Sequence, residues 1–343
     1  MMNYLENAVA YIQDLCAIPS PTGYTARAEA YLLKTLTGLG YQPVHTKKGT
    51  VVCTLGGEGN PLLLASHVDT LGGMVRSVKS SGRLRYTQVG GFNDNAIENE
   101  TCLVHTRTGE TYPGTVQSTK ASMHVYGDTT SLQRSAETLE IVLDEVVKNE
   151  KDVLALGIAP GDFISWDART QVTESGYIKS RHLDDKASSA ILLTLAQMVK
   201  EGAVSLSRSV TIMFTVYEEV GHGASAILPK DICDLIAVDM GCVGDDLGCD
   251  ETMVSICAKD SAGPYNYELT GELITIAKEL SLGFAVDIYP RYSSDTATAL
   301  KSGLEARHAL IGPGVFASHG YERTHKKGIE NTLKLLCAFA AEK

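Results

Sequence analysis

The chain has no run approaching the 18 or more consecutive apolar residues of a membrane-spanning helix, so no membrane partner is expected. Its first residues, Met1-Met2-Asn3-Tyr4-Leu5-Glu6-Asn7, lack the basic start and continuous apolar segment of a secretory signal. Basic clusters are scarce. Lys47-Lys48 and Lys326-Lys327 stand alone in a chain of net charge −11, which argues against nucleic acid, because that binding draws on grouped Lys and Arg. The eight cysteines fall singly inside apolar patterns, so neither a disulfide framework nor a zinc-thiolate site is expected, even where Cys242 and Cys249 flank a glycine-aspartate loop. These absences point to a reduced, cytoplasmic protein.

What is present suits a well-packed enzyme larger than one ordinary domain: 343 residues, 44% hydrophobic, with 32 glycines for tight turns. Leu5, Val9, Ile12, Leu15 and Cys16 recur at helical spacing, with Asn3 as the N-cap and Pro19 beyond the end. A second helix is predicted over residues 24–39, closed by Gly40. Strands follow at 50–55 and 61–65, separated by a glycine-rich turn. From 72 to 165 the runs shorten and turn signals multiply (Ser81-Gly82, Gly90-Gly91, Thr108-Gly109, Pro113-Gly114), which predicts an inserted β-rich domain with a mobile loop at 128–138. The α/β alternation then resumes. It comprises a helix at 187–200, a strand at 208–216, a short run at 225–228, a strand at 235–238, a helix at 267–282, a short helix from Ser293-Ser294-Asp295-Thr296, a strand at 308–311 and a helix at 328–341. The expected fold is α/β, a mixed sheet sandwiched by helices. Residues 1–71 and 166–343 form its main domain, and 72–165 a small β-rich insertion.

Four of these strands lead into chemistry-bearing residues: 61–65 into His67 and Asp69, 208–216 into Glu218 and Glu219, 235–238 into Asp239, and 308–311, after a loop, into His319. In open α/β sheets the carboxyl ends of strands line the ligand crevice, so these side chains should converge. Imidazoles and carboxylates together are the donors of zinc-like or cobalt-like ions. Asp184, Glu219 and Asp239 would offset most of the charge of two divalent ions and would repel one another without them. Adjacent residues on a regular strand face opposite ways, so Glu218 and Glu219 can share a crevice only if the strand ends before them and Gly221 and Gly223 let the chain bend.

The motifs Ser66-His67-Val68-Asp69, His182-Leu183-Asp184-Asp185-Lys186, Val216-Tyr217-Glu218-Glu219-Val220-Gly221 and Val238-Asp239-Met240, with a histidine before the last helix, resemble the tetrahedral (TET) aminopeptidase family. These are di-metal exopeptidases related to the glutamyl and deblocking aminopeptidases, and some relatives are labelled endoglucanases. The resemblance covers nearly the whole chain, insertion included. It implies a zinc-exopeptidase-like fold and metal-dependent removal of N-terminal residues from peptides, with two divalent ions, Zn2+ or Co2+, per subunit. It further implies that His67 and Asp239 bind one ion, Glu219 and His319 the other, and Asp184 bridges them, with Asp185 the alternative bridge and His325 the alternative to His319. Glu218 would be the general base, and Asp69 would orient His67. His182 and His222 are expected only to support the site. A homo-oligomer, dimer to dodecamer, is implied, assembled through the 72–165 domain. Lys186 stands where the family usually has arginine, and Thr70 where it usually has a second acid. Two other classes stay open: a glycoside hydrolase using paired carboxylates, which has no need of the histidines, and a non-catalytic metal-binding homologue.

Overall fold

The computed structural model describes residues 2–225 and 231–341. The chain divides into two compact units, one made of the residues up to Asp69 and from Arg169 onward, the other Thr70–Ala168. In the first, the strands Leu62–His67, Val210–Thr215 and Asp234–Val238 are buried at every position. Only a strand covered on both faces needs apolar side chains without alternation, and their Leu, Val and Ile content meets that need. The His67 strand pairs parallel with Val210–Thr215 on one side and Asp234–Val238 on the other, and the latter pairs parallel with Arg307–Val315. Antiparallel neighbours, Val51–Gly56 and Val254–Asp260, flank this parallel core in a ten-stranded mixed sheet. The register aligns Thr215 with His67 and Val238 with Ile311, so the core strands finish close to one level.

The helix Leu183–Lys200 packs against the His67 strand and against the helices Met2–Cys16 and Lys326–Ala341. Helices Ala26–Gly38, Tyr267–Glu279 and Asp295–Lys301 cover other parts of the sheet. The first helix already begins at Met2, so Asn3 lies in its first turn and is not its cap. Gly40, at φ +85°, follows the second helix as its turn requires. Strand Val254–Asp260, strand Phe284–Ile288 and a small sheet of Gln171–Val172, Tyr177–Ser180 and Glu322–His325 went unread in the sequence. Glu322–His325 contains no aliphatic residue, so it carries no hydrophobic signal. Beyond Ser225, the short run expected at 225–228 lies outside the described residues.

Thr70–Ala168 is a closed six-stranded barrel. Closure leaves no free strand edge, and alternating burial along Thr111–Ser118 places Val116 inside. Leu84, Tyr86, Val104, Ile141, Ile164 and Trp166 fill the interior, with Tyr86 edge-on to Trp166 at 5.9 Å. Several of its charges form pairs: Glu137 with Arg76 at 2.8 Å and Arg85 at 2.7 Å, and Glu98 with Arg134 at 2.8 Å.

Candidate active site

His67 ends its strand buried and held from several sides. Its backbone N–H donates to Asp185 Oδ2 at 3.3 Å, its Nδ1 lies 3.0 Å from the Asp69 carbonyl, and its Nε2 lies 3.1 Å from Asp184 Oδ1. Glu218 Oε2 is 3.8 Å from the same Nε2. On the other side of Asp184, Oδ2 is 3.3 Å from His319 Nε2, which is also 3.6 Å from Glu219 Oε2. Asp184 thus stands between the two imidazoles. Asp239, just past its strand, completes a second cluster with His67 and Asp185.

Asp69 contacts His67 through both its carbonyl and its carboxylate, and its carboxylate has a second task. Its carbonyl makes the closer contact, while Oδ1 lies 3.5 Å from Nδ1. The carboxylate accepts the backbone N–H groups of Glu218 at 3.2 Å and Glu219 at 3.3 Å, and the Thr22 hydroxyl at 2.7 Å. It therefore fixes the turn that aims both glutamates. That turn starts at Tyr217, φ 69°, and runs through the 3-10 segment Glu218–Val220 to Gly221, φ 82°. The bend was expected from Gly221 and Gly223 alone, yet a residue with a Cβ makes its first step. Gly223 is needed for space instead: a Cβ there would lie 2.3 Å from Asp295 Oδ1. Asp295 accepts the Ala224 N–H at 2.7 Å and the Thr215 hydroxyl, locking the far side of the turn.

Glu322 performs the same office for the other half. Its two oxygens accept the backbone N–H groups of Asp184 at 3.0 Å and His319 at 2.9 Å. His182, Tyr217 and His319 hold φ near +65° (68°, 69° and 62°), in the left-handed region that disfavours side chains by about 1–2 kcal/mol each. Each of these residues belongs to or immediately precedes a segment that carries cluster groups. His325 faces away: its Nε2 lies 2.9 Å from the Ser175 carbonyl and its ring stands edge-on to Tyr177. His222 stacks on Tyr217 at 5.0 Å, and its carbonyl accepts the Lys48 ammonium.

Burial and mutual repulsion dominate the electrostatics. Burial, then the Asp184 charge, pushes Asp239 up to about 7 and Glu219 well above the carboxylate range. Glu218 is raised by burial and by the charges of Asp239, Asp295 and Glu219, against the pull of His67. Asp184 resists the same burial: hydrogen bonds with His319 and His67 hold its pKa below the ordinary value. Burial alone would lower His67, but contacts with Asp184 and Asp69 outweigh it and raise it well above normal. A proton on His67 therefore supplies positive charge that the acids around it lack.

No Lys or Arg among the described residues forms an ion pair with Asp184, Asp185, Glu218, Glu219 or Asp239. Ligand atoms of His67, Asp184 and Glu219, and of His67, Asp185 and Asp239, lie within 4.8 Å of one another in each group. Asp185 Oδ1 is buried with no hydrogen-bond partner. This donor set and the orphaned oxygen fit a divalent cation. The cluster lines a cavity of about 620 Å³, whose wall also carries Arg291, Tyr292 and Lys301.

Solved structures share this architecture. The TET aminopeptidase from the marine sediment archaeon Thaumarchaeota archaeon SCGC AB-539-E09 superposes with TM-score 0.88 at 18% identity, covering 98% of this chain and 96% of that one. The Pyrococcus horikoshii TET1 peptidase, described as assembling into a tetrahedron or a large octahedral shell, gives 0.85 at 20% identity, covering 98% and 100%. The fold is thus that of the TET aminopeptidases. Residues 49–335 match the M42 glutamyl aminopeptidase profile, and YhfE of Bacillus subtilis (strain 168), classed as an aminopeptidase, is 42% identical over 98% of this chain and 97% of its own. The chain belongs to the M42 glutamyl aminopeptidase family, a family of peptidases.

Proposed function

We propose that the protein is a metal-dependent aminopeptidase that removes N-terminal residues from peptides. The observation that carries this reading is the cluster of His67, His319 and five carboxylates near the carboxyl ends of parallel strands, with no Lys or Arg among the described residues in an ion pair with those carboxylates. His67, Asp184, Glu219, Asp239 and His319 are the residues that would hold divalent cations, Zn2+ or Co2+ by donor type, with Asp185 placed to share the load. The chemistry such cations supply is acidification of water and polarisation of a carbonyl. Glu218 takes the proton from the attacking water and returns it to the leaving amine. Asp69 and Thr22 hold Glu218 and Glu219 at the cleft, and Glu322 holds Asp184 and His319. The acid-rich pocket is complementary to a protonated peptide N-terminus, which suits exopeptidase action. The eight free thiols support a reducing cytoplasmic setting, and the assembled TET relatives support a homo-oligomer joined through the Thr70–Ala168 barrel.

The test is to strip the protein with a chelator, restore zinc, cobalt or manganese singly, and follow peptides with free and acetylated N-termini by mass spectrometry. Stepwise loss of single residues from the free peptides only, and only with metal restored, is expected. Hydrolysis that survives complete metal removal, or cleavage of a β-glucan in place of peptides, would overturn the reading.

A further inference from the structure

The cavity that the cluster lines has a second wall of opposite character. Past Asp184, Glu218, Glu219 and Asp239, most of the lining comes from one continuous stretch, residues 291–302. Within it the helix Asp295–Lys301 buries Asp295, Thr296 and Ala299, and Thr298, Lys301 and the following Ser302 line the cavity, at the i, i+3, i+4 spacing of one helix face. Ala299 packs among Leu63, Ala65 and Met213 of the sheet. Asp295 accepts the Ala224 N–H at 2.7 Å and the Thr215 hydroxyl, so the helix is fastened to the turn that carries Glu218 and Glu219.

The cavity-lining side chains of this stretch include no carboxylate. They include Arg291 and Lys301, both exposed, and among the described residues neither side chain makes an ion pair or a hydrogen bond. A lysine in the last turn of a helix is favoured by the helix dipole, which gives Lys301 a local reason. Arg291 lies ahead of the same helix, where that dipole gives a cation nothing. Among the described residues, Tyr292 and Ala297 are the only hydrophobic members of the wall. An aliphatic group entering here has little to bury against, whereas a carboxylate meets two unpaired cations and the hydroxyls of Ser293, Thr298 and Ser302.

The acids and the cations also differ in depth. Asp184 and Asp239 are 6% and 5% exposed, while Arg291 and Lys301 are open to solvent. A peptide whose amino end is held at the acids runs outward past the cations, so they meet the part beyond the scissile bond. The cavity, about 620 Å³, is of the size that encloses a small ligand, roughly two or three residues of peptide. At the far end of so short a peptide stands its C-terminal carboxylate.

We propose that Arg291 and Lys301 are specificity-determining residues that bind the C-terminal carboxylate of a dipeptide or tripeptide, which makes short peptides with a free C-terminus the preferred substrates. The planar guanidinium takes a carboxylate through two parallel N–H bonds, and the ammonium adds a point charge. A contact that stays the same while the peptide bond breaks acts on KM more than on kcat. This rests on the aminopeptidase reading above.

The experiment compares trialanine, trialanine amide, a longer peptide with the same amino end, and an amidated tripeptide beginning with glutamate, using full-length, metal-loaded protein with and without Arg291→Gln and Lys301→Gln. For wild type, KM for trialanine should be roughly tenfold below that for its amide and for the longer peptide, with kcat within about twofold. The double variant should raise KM for trialanine to that of the amide, while metal content and melting temperature hold. Added salt should narrow the wild-type gap. Equal KM for acid and amide in wild type, or a gap that the double variant leaves intact, would overturn the proposal. So would a loss confined to the glutamate-first peptide, which would assign the cations to the side chain of the first residue. Wild-type protein that hydrolyses no peptide would sink the functional reading and this inference together, whereas active wild type indifferent to the C-terminal carboxylate would sink only the inference.

Discussion

Two ends of the same parallel strands carry opposite electrostatics. Asp234 opens the strand that Asp239 follows. At the amino end, Asp234 accepts from Arg208 at 2.6 Å and from Arg307 at 2.7 Å, and Arg307 also reaches Glu272 at 2.7 Å. Burial would raise the Asp234 pKa, but the hydrogen bonds of Arg307 and Arg208 prevail and lower it. At the carboxyl end, burial and then the charge of Asp184 raise Asp239 to about 7, against the smaller pull of His67 and of hydrogen bonds from Tyr292 and Met240. One residue type on one strand is thus neutralised where it joins the sheet and left short of positive charge where it faces the cleft. Unbalanced charge held in place by the fold marks the site, while balanced charge marks the scaffold.

The comparison breaks first at Glu218. Replacing it with Gln should lower peptide turnover by roughly 1,000-fold while metal content and melting temperature hold, as steady-state assays with elemental analysis would show; near-normal turnover would remove it from proton transfer. Next, Asp234→Asn strands Arg208 and Arg307 and should destabilise the fold by about 3 kcal/mol in denaturant unfolding, with activity per folded molecule unchanged. A loss of activity without loss of stability there would contradict the division between the two ends.

pH separates the ends by sign. In metal-free protein, folded Asp239 keeps a proton that the unfolded chain releases near pH 4, so its contribution falls as pH rises from about 4 to about 7. Asp234, with its lowered pKa, stabilises above about pH 4 and loses that contribution as pH falls. Melting curves of chelator-treated protein should therefore show a decline between pH 5 and 7.5 that Asp239→Asn reduces and Asp234→Asn does not. The smallest effect belongs to the barrel's surface pairs: Arg85→Ala, opposite exposed Glu137, should change stability by less than about 1 kcal/mol in the same unfolding assay.

Asp184 and Asp185 stood out only through the motif they share with the TET family. His67, Asp69, Glu218, Glu219 and Asp239 were legible because each ends or follows a strand rich in apolar residues, and a parallel sheet aims such strands at one edge. The ties were not. Glu322 lies in a strand with no aliphatic residue, Thr22 in a turn, and Asp295 reads only as a helix start. Their effect comes from accepting or donating across hydrogen bonds between distant segments, and no local pattern encodes that. The split role of Asp69 was hidden for the same reason, since the sequence places it beside His67 but not beneath the Glu218 amide.

The left-handed backbone at His182, Tyr217 and His319 sets where this protein can be made hardier. Asparagine or glycine at such positions would relieve the steric clash, so a selection for heat resistance alone would be drawn to them. Each lies where the chain turns into the cluster, so the relief would come with a looser cleft. Laboratory evolution under heat without a demand for turnover should therefore yield sturdy, sluggish variants with changes at these three positions.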